Sequence, residues 1–341
     1  MEKTMAKNTL KKKKNVGPII VTGAAGFIGL HVSEALLSRG ERVVGFDAMT
    51  SYNDPALKRK RLALLSKYKG FSFVKSSLEN TSLVKKLVEK EKPRAIIHLA
   101  AQAGVRYSQE NPQSYIDSNI TGTLSVFEAA REKKIPVVYA SSSSVYGERE
   151  GIFKETDTAD TQVSLYAATK RCDELLAATY VSLYGIPMVG LRFFTVYGPW
   201  MRTDLAIFKF ARLLMLGETI PLYAAGKGKR SYTHVSLVVD GVVRALNTIK
   251  NGHRIYNLGD ERTFETKKML GMLSQALGVE AKTKLLPPQK GDVMETRASG
   301  GKAKKELGVV PHVAFEEGLE EFAKWFLSNK EFLLSLKDMH S

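Results

Sequence analysis

The chain has 341 residues, of which 44% are hydrophobic, so it is long enough to bury a full core and a second, smaller lobe. It contains no run of about 18 apolar residues, which excludes a membrane-spanning helix. The net charge of +16 sits partly in one lysine run and is otherwise spread among carboxylates, without the aromatic interleaving or basic recognition helix of a nucleic-acid binder.

The N-terminal segment 1–16 is polar and rich in lysine, with no apolar stretch before the first predicted strand. We interpret it as a disordered basic tail rather than a secretory signal. The single cysteine, Cys172, excludes an internal disulfide and fits a reducing compartment. These features predict a cytoplasmic protein with no membrane or nucleic-acid partner.

Short apolar runs alternate with amphipathic stretches from residue 17 onward. The runs are rich in Val, Ile and Phe and are bounded by turn residues, which predicts buried strands at 18–22, 42–46, 71–74, 95–99, 137–140 and 188–194. The amphipathic stretches predict helices at 27–38, 81–91, 113–134 and 166–184. Because strands that alternate with helices form βαβ units, 17–198 is predicted to be an α/β domain with a doubly wound parallel (Rossmann) sheet.

The pattern changes beyond Gly198. Helices are predicted at 205–216, 238–249 and 315–327, and turn-rich stretches separate them. We expect residues 199–341 to form mainly a smaller α/β lobe that binds the substrate, with a segment near 230–257 that returns to the main sheet.

A glycine-rich loop follows the first predicted strand and opens the first predicted helix. Gly23, Gly26 and Gly29 have G-x-x-G-x-x-G spacing, which permits a tight turn and lets backbone N–H groups approach a pyrophosphate. The next strand ends in Asp47, whose carboxylate can hold an adenosine ribose and would repel a 2′-phosphate. The alternative is a structural turn with a surface aspartate. Because the loop lies between a strand and a helix, and an aspartate ends the next strand, the loop predicts a site for NAD rather than NADP.

Tyr166 and Lys170 are four residues apart on a predicted helix, so their side chains face the same way. A lysine ammonium close to a phenol favours the phenolate, which can remove a proton. Upstream, the fifth predicted strand runs into serines 141–144, at the edge where open α/β sheets bind ligands. Alone, a Y-x-x-x-K pair on a helix is common. Its position after a dinucleotide loop and a serine run favours a catalytic pair over an exposed-face pair.

The glycine loop, the serine run and the Tyr166–Lys170 pair together resemble the extended short-chain dehydrogenase/reductases, the NAD-dependent epimerases and dehydratases. Longer phrases are similar to the UDP-glucuronate 4-epimerases, and the resemblance covers nearly everything from residue 17 to 327. The phrases are SYNDPALKRKR (51–61), HLAAQAGVRYS (98–108), NPQSYIDSNITGTLSVFEAAR (111–131), VSLYAATKR (163–171), YGIPMVGLRFFTVYGPWMR (184–202) and GDVMETRAS (291–299).

The resemblance implies roles for the residues around the reacting carbon. Tyr166 would be the general base, and Lys170 would stabilise its phenolate and hold the nicotinamide ribose. Ser142 would hydrogen-bond the substrate hydroxyl, with Ser143 in its place if the register differs. Asn119 is expected to support the backbone of the active-site helix. The other expected cofactor contacts are Phe27, Ile28, Ser77, Leu78 and Ala100.

Two positions indicate the reaction. Sugar 4,6-dehydratases carry an Asp-Glu pair where Ser143 and Ser144 stand here, and the related decarboxylases have Glu at the position of Ser144. Without those carboxylates, the resemblance implies an isomerase that oxidises C4, lets the 4-keto sugar rotate and returns the hydride to the other face.

The implied substrate is a sugar acid. Oxidation at C4 of a glucuronosyl unit gives a β-keto acid, which loses CO2 when its carboxylate aligns with the carbonyl, so the enzyme must hold that carboxylate still. Neutral-sugar 4-epimerases have Asn where Thr195 stands, and a smaller hydroxyl residue leaves room for a carboxylate. Arg202 offers a bidentate donor, the alternative being a surface loop arginine. The other expected substrate contacts are Arg106, Ser144, Ile220, Tyr223, Arg230 and Asp292.

Two segments depart from the family pattern. Residues 230–237 read RSYTHVSL where the family has R-D-F-T-Y-I-D-D, so acidic positions are lost and Ser236 is expected to cap the following helix. Residues 76–78 read SSL where a Gly-Asp-Leu usually contacts adenine. We expect both changes to lower affinity while the catalytic residues stay intact.

Two other functions stay open on the sequence alone. One is a 4-epimerase for a neutral or N-acetylated UDP-hexose, and the other is a non-catalytic NAD-binding sensor. No metal site is expected. The resemblance further implies a homodimer in which helices 114–132 and 166–184 of each subunit form a four-helix bundle.

Overall fold

The computed structural model describes residues 17–149, 151–288 and 294–337. The strands in these ranges are β1 (Ile19–Thr22), β2 (Val43–Asp47), β3 (Phe71–Lys75), β4 (Ala95–His98), β5 (Val137–Ser142), β6 (Ile152–Phe153), β7 (Met188–Phe193), β8 (Thr195–Tyr197), β9 (Ile220–Tyr223), β10 (Lys229–Arg230), β11 (Tyr232–His234), β12 (His253–Leu258), β13 (Phe264–Glu265), β14 (Thr283–Leu286) and β15 (Glu295–Ala298).

The α-helices in the same ranges are α1 (Phe27–Leu37), α2 (Pro55–Leu65), α3 (Thr81–Glu91), α4 (Tyr107–Glu110), α5 (Pro112–Tyr115), α6 (Gly122–Arg131), α7 (Leu165–Tyr184), α8 (Ala206–Leu216), α9 (Val235–Thr248), α10 (Thr266–Leu277), α11 (Gly301–Leu307), α12 (Phe315–Ser328) and α13 (Lys330–Ser335). A π-helix covers Ile116–Thr121, and short 3₁₀ turns cover Ser143–Tyr146 and Ala224–Gly226.

Seven parallel strands form the main sheet, in the order β12-β7-β5-β4-β1-β2-β3. β1 pairs with β2 on one side and with β4 on the other, so Ile19 lies opposite both Val43 and Ala95. The chain first builds outward from β1 to β3 and then returns to build the other half, so the strand order reverses between β1 and β4. The crevice beyond the carboxyl ends of these two strands is where such sheets bind ligands. The predicted fold class is confirmed.

Helices cover both faces of the main sheet, which explains why its central strands are apolar in both directions. Ile19 and Val21 pack with residues of α1 and α9 on one face. Ile20 packs with residues of α3, α6 and α7 on the other face. Alternate residues of one strand thus belong to two separate cores.

The predicted helix 113–134 is divided. α5 ends at Tyr115, the π-helix follows, and α6 begins at Gly122. Asn119 lies within the π-helix and is fully buried, with its side chain bonded to a neighbouring loop and to α7. A π-turn inside a helix accommodates such a polar anchor, and apolar periodicity does not reveal it.

The helix α2 was not predicted from the sequence. Asp54 caps it by accepting from Ala56 N (2.8 Å), and Pro55 occupies its first position. The buried face of α2 is narrow because its buried apolar residues are Leu57 and Leu65. The basic residues between them obscure the helical spacing of apolar residues in the sequence.

The smaller lobe contains a four-stranded sheet in the order β13-β10-β15-β6 and two strand pairs, β8–β11 and β9–β14. Three strands cross the division predicted at residue 198. β6 and β8 precede that residue but pair with β15 and β11 in the smaller lobe, whereas β12 follows it and pairs with β7 in the main sheet. We retain 17–198 and 199–341 as proposed domains with these three exchanges.

The cap of α9 differs from the prediction. His234, not Ser236, is the N-cap residue, and its Nδ1 accepts from Ser236 N (3.4 Å). Burial lowers the pKa of His234 to about 4, so the ring is neutral and Nδ1 keeps its lone pair for the cap. No helix within the described ranges is long and apolar enough to cross a bilayer.

Candidate active site

The glycine loop lies at the carboxyl end of β1, and α1 begins directly after it without a side-chain cap. Gly23 has a φ of +72° and donates through its N–H to Phe46 O (2.7 Å). A Cβ on Gly29 would lie 2.0 Å from the Gly23 oxygen, and one on Gly26 would lie 2.9 Å from it. Backbone alone therefore lines the uncapped end of α1, which fits a pyrophosphate.

We expect Gly29→Ala to weaken NAD binding and to lower the free energy of unfolding by about 1–3 kcal/mol, because the new methyl group meets backbone that cannot turn aside. Calorimetric titration with NAD and a thermal melt measure the two effects. Gly271→Ala in α10 is the matched control, since a Cβ there meets nothing within 4 Å. Unchanged NAD affinity in Gly29→Ala would show that the pyrophosphate does not bind at this loop.

Asp47 ends β2 beside the glycine loop and is 7% exposed. Its Oδ2 accepts from Ala25 N (3.2 Å) and its Oδ1 from Met49 N (2.7 Å). Lys58 from α2 lies 3.5 Å from the same Oδ1. The carboxylate is thus fixed next to the predicted pyrophosphate site, where it can accept from ribose hydroxyls.

The other predicted cofactor contacts differ in what they can offer. Phe27 and Leu78 are core residues, 4% and 6% exposed, so a contact with the cofactor is left to their backbone. Ile28 and Ser77 are half-buried. Ala100 donates through its N–H to Thr22 Oγ1 (3.2 Å) and packs so closely on the loop that a Cβ at Gly23 would lie 2.7 Å from Ala100 N.

Tyr166 and Lys170 lie one turn apart on α7, which Ser164 caps by accepting from Ala167 N (3.1 Å). Lys170 is 2% exposed, and its Nζ donates to Ala140 O (3.1 Å) at the end of β5. Tyr166 is half-buried, and its ring meets the edge of Tyr115 at 6.2 Å between centroids. Burial lowers the pKa of Lys170, whereas Asp173 and then Tyr166 raise it, and the net shift is upward.

The serine run forms the corner between β5 and the 3₁₀ turn that follows it. Ser142 Oγ accepts from Ser144 N (3.1 Å), which leaves the Ser142 hydroxyl hydrogen for another acceptor. Ser143 and Ser144 are half-buried. Ser141 faces away and donates to Glu174 Oε1 (2.7 Å), so it is part of the scaffold of α7.

Asn119 joins three elements near the Tyr166–Lys170 pair. Its Oδ1 accepts from Gln102 N (2.7 Å), and its Nδ2 donates to Gln102 O (3.0 Å) and to Thr169 Oγ1 (2.9 Å). The loop after β4 is therefore tied to α7 between its two predicted catalytic residues. This is the supporting position expected for Asn119.

Arg202 approaches the same crevice from the segment after β8. Its Nε donates to Asp204 Oδ1 (3.0 Å) and its Nη2 to Asp204 Oδ2 (2.5 Å), a bidentate pair, and the Tyr52 hydroxyl donates to Asp204 Oδ2 (3.0 Å). Burial lowers the pKa of Arg202, but Asp204 and then Tyr166 raise it, and the net shift is upward. Arg202 is thus an oriented cation near Tyr166, not a loop arginine in solvent.

Thr195, the first residue of β8, is half-buried and lies opposite Tyr232 of β11. Arg61 anchors the segment that follows β8. It is 1% exposed, and its guanidinium donates to Trp200 O (2.6 Å), Met201 O (3.1 Å) and Ala25 O (3.1 Å). The glycine loop and the segment that carries Arg202 therefore share one buried guanidinium.

The predicted uridine contacts are only partly brought together. Arg106 stacks over the ring of Tyr223, 5.8 Å from its centroid. The Ile220 side chain is fully buried in the core, whereas Tyr223 of the same strand is half-buried, so the predicted uracil contact of this segment stays a prediction. Arg230 Nη1 donates to Lys229 O (2.9 Å). Asp292 lies outside the described residues.

The sequence analysis did not single out Asp173, Asp204 or Arg61. Arg202 and Asp204 are two residues apart, and this spacing was the available signal for their pair. Asp173 follows Lys170 by three residues on one helix, and this spacing was the available signal for their pair. Arg61 carries no local signal because its partners come from distant segments. Within the described ranges, no group of three or more His, Cys, Asp and Glu side chains is arranged to hold a metal ion.

Comparison with known proteins places the chain among sugar-modifying enzymes. The NAD dependent epimerase/dehydratase family model matches residues 19–259. An uncharacterised protein from Methanocaldococcus jannaschii is 47% identical over 323 residues, which are 93% of this chain and 98% of that protein. UDP-glucuronate 4-epimerase 3 from Arabidopsis thaliana is 41% identical over 328 residues, which are 91% of this chain and 76% of that protein.

A solved structure gives the same result. The crystal structure of UDP-glucuronic acid 4-epimerase from Bacillus cereus, in complex with UDP-glucuronic acid and NAD, superposes with a TM-score of 0.87 at 32% identity. The match covers 91% of this chain and 99% of the Bacillus cereus chain.

Proposed function

Because the chain belongs to the NAD dependent epimerase/dehydratase family, we propose that it interconverts UDP-glucuronate and UDP-galacturonate through a transient 4-keto sugar. The observation that carries the proposal is that Tyr166 lies near two cations, Lys170 and Arg202. Burial lowers the pKa of both Lys170 and Arg202, their aspartate partners raise it, and Tyr166 raises both further. A phenol near a buried ammonium suits proton removal, and an oriented guanidinium nearby suits a carboxylate.

The dinucleotide site fits NAD. The glycine positions leave no space for a Cβ, and the carboxylate of Asp47 is fixed beside them. Lys170 on α7, whose Nζ donates to Ala140 O of β5, is proposed to hold the nicotinamide ribose. Bound NAD would supply the acceptor and later the donor of the hydride at C4.

The proton chemistry belongs to the chain's own residues. Tyr166 takes the proton of the C4 hydroxyl as the hydride leaves, and Lys170 stabilises the phenolate on its far side. The Ser142 hydroxyl, whose oxygen is held by Ser144 N, donates to the same substrate oxygen. When the sugar has turned and the hydride returns to the opposite face of C4, Tyr166 returns the proton to the C4 oxygen.

The preference for a sugar acid as substrate is supported by Arg202 and Thr195. A 4-keto glucuronosyl unit loses CO2 if its carboxylate rotates into line with the carbonyl. The Arg202 guanidinium, held in one plane by Asp204, fixes a carboxylate in another orientation. The absence of carboxylates at Ser143 and Ser144 removes the acid–base pair that a dehydratase needs.

The test is incubation of the purified protein, loaded with NAD, with UDP-glucuronate, UDP-galacturonate, UDP-glucose and UDP-N-acetylglucosamine, followed by identification of each product. We expect the two uronates to interconvert without release of CO2. Conversion of UDP-glucose but not of UDP-glucuronate would favour the neutral-hexose alternative. No conversion of any UDP-sugar, with NAD still bound, would favour the sensor.

We further propose a homodimer built from α6 and α7. Leu175 and Leu183 are eight residues apart on α7, so they share one face, and they are 54% and 66% exposed. Leu124 on α6 is 40% exposed. Leucines so exposed on adjacent helices support a covered surface in the assembled protein.

We expect Leu183→Glu to convert the dimer into a monomer, because it replaces an apolar contact of the proposed interface with a carboxylate that loses its water when the interface forms. Light scattering after size-exclusion chromatography measures the mass. Leu285→Glu is the control, since Leu285 is 64% exposed on β14, away from these helices. A dimer that survives Leu183→Glu would contradict this interface. The cytoplasm remains the proposed location because the single cysteine, Cys172, fits a reducing compartment.

A further inference from the structure

Asp173 lies on α7, three residues after Lys170, and was assigned no role from the sequence. Its Oδ2 accepts from Lys170 Nζ at 3.0 Å, and the two side chains are 1% and 3% exposed. Lys170 Nζ also donates to Ala140 O at 3.1 Å. An ammonium has three hydrogens, so this arrangement leaves one for the crevice that contains Tyr166.

The other charges around Lys170 are already matched. On α7 itself, the titratable groups around Lys170 are Tyr166, Asp173 and Glu174. From the neighbouring strands come His98 on β4 and Arg192 on β7. The uncharged polar neighbours are the Ala140 carbonyl on β5 and the Thr123 hydroxyl on α6. Glu174 accepts from Arg192 Nε (2.7 Å) and Nη2 (2.8 Å), and from Arg171 (3.0 Å). Asp173 is therefore the carboxylate that remains for Lys170.

A chain of hydrogen bonds leads to Asp173 from the opposite side. Thr22 Oγ1 accepts from Ala100 N (3.2 Å), so its own hydrogen goes to His98 Nδ1 (2.7 Å). Burial and the charge of Lys170 lower the pKa of His98 to about 3, so the ring is neutral. Its hydrogen is then on Nε2, which donates to Thr123 Oγ1 (3.0 Å).

The hydrogen of the Thr123 hydroxyl is thereby left for the Asp173 carboxyl group. Burial raises the pKa of Asp173 and outweighs Lys170 and the Thr123 hydroxyl, which lower it, so the net shift is upward. Among the described residues, Asp173 Oδ1 is buried and accepts no other hydrogen bond, so the Thr123 hydroxyl is the donor that faces it. Every neighbour thus presents a hydrogen to Asp173, as an ionised carboxylate requires.

We propose that Asp173 is a positioning residue for the reaction proposed above: its carboxylate is the counter-ion that keeps the buried Lys170 ammonium charged and aimed at the crevice beside Tyr166. The inference rests on the proposed function. A lysine buried without a counter-ion loses its proton several pH units below its ordinary range. A neutral Lys170 would no longer stabilise the Tyr166 phenolate, and catalysis would fail as the pH rises.

Stability provides a test that needs neither NAD nor sugar. In the native chain the pKa of Lys170 is raised, so its contribution to stability is fully present below the unfolded value and is lost only above it. In Asp173→Asn the folded pKa is depressed, so the destabilisation is largest at low pH and shrinks as the pH rises. We expect the gap in urea midpoint between the two proteins to narrow from about pH 6.5 to about pH 9.5.

Activity provides the second test. In Asp173→Asn we expect kcat to fall about tenfold between neutral pH and pH 9, whereas the wild type stays level. Thr123→Val is the matched control, because it removes a hydroxyl from the same carboxylate but keeps the Lys170–Asp173 pair. It is expected to lose some stability and to keep the wild-type pH dependence.

If Asp173→Asn does not fold, the double variant Lys170→Met/Asp173→Asn decides the matter. Removal of both charges is expected to restore folding, since no buried cation is left unmatched. A double variant as unstable as the single one would overturn the proposal, and so would an unchanged pH dependence in Asp173→Asn. If the wild type converts no UDP-sugar, the proposed function fails while the stability test still stands.

Discussion

Replacement of Tyr166 by phenylalanine is expected to reduce kcat for UDP-glucuronate by about 10²- to 10⁴-fold, the usual contribution of a positioned acid–base group. In the proposed reaction the phenol accepts the proton of the C4 hydroxyl, and the ring that remains still packs against Tyr115. NAD affinity should be unchanged, because Lys170 and the glycine loop are intact. Steady-state kinetics and calorimetric titration with NAD measure the two quantities.

The control for this substitution lies on the same helix. Tyr184→Phe keeps the ring that stacks against Arg131 at 5.0 Å and is expected to leave kcat unchanged. Loss of NAD binding in Tyr166→Phe would show that the phenol acts in cofactor binding. Turnover at the wild-type rate would transfer the role of general base to another residue.

Replacement of Arg202 by lysine is expected to lower the selectivity for UDP-glucuronate over UDP-glucose by about 10- to 100-fold. Lysine keeps the positive charge next to Asp204 but loses the planar fork that fixes a carboxylate in one orientation. The ratio of kcat/KM for the two sugars is the readout, because a general loss of folding affects both substrates equally. We also expect CO2 release from UDP-glucuronate, since the carboxylate can now rotate.

Arg254→Lys is the matched control for Arg202→Lys. Arg254 lies on β12, where its Nη1 donates to Asn251 O (3.3 Å), and its replacement should leave the selectivity as it is. Equal losses on both sugars in Arg202→Lys would assign this arginine a structural role with Asp204. An unchanged selectivity would show that a residue other than Arg202 binds the substrate carboxylate.

The elements that the sequence predicted correctly are those with a local physical signature. The strands of the main sheet are continuous apolar runs because helices cover both faces, and the glycine loop needs its spacing wherever it occurs. The Tyr166–Lys170 pair follows from the repeat of one helix. Each of these features is contained within a short stretch of chain.

The features that the sequence did not predict depend on distant partners. The π-helix around Asn119 is stabilised by bonds to Gln102 and Thr169, which no periodicity shows. The side chain of Ile220, a predicted ligand contact, lies in the core because strand alternation turns it inward. His234 caps α9 only because burial keeps its ring neutral.

The central claim is that Tyr166 removes the proton of the C4 hydroxyl while the hydrogen on C4 leaves as a hydride, and that this same hydrogen returns to C4 from the other face. The most direct measurement uses UDP-glucuronate with deuterium at C4, incubated with the enzyme in ordinary water. We expect UDP-galacturonate that retains the deuterium at C4, with no CO2 released. Product that has exchanged its label with the solvent would contradict the account.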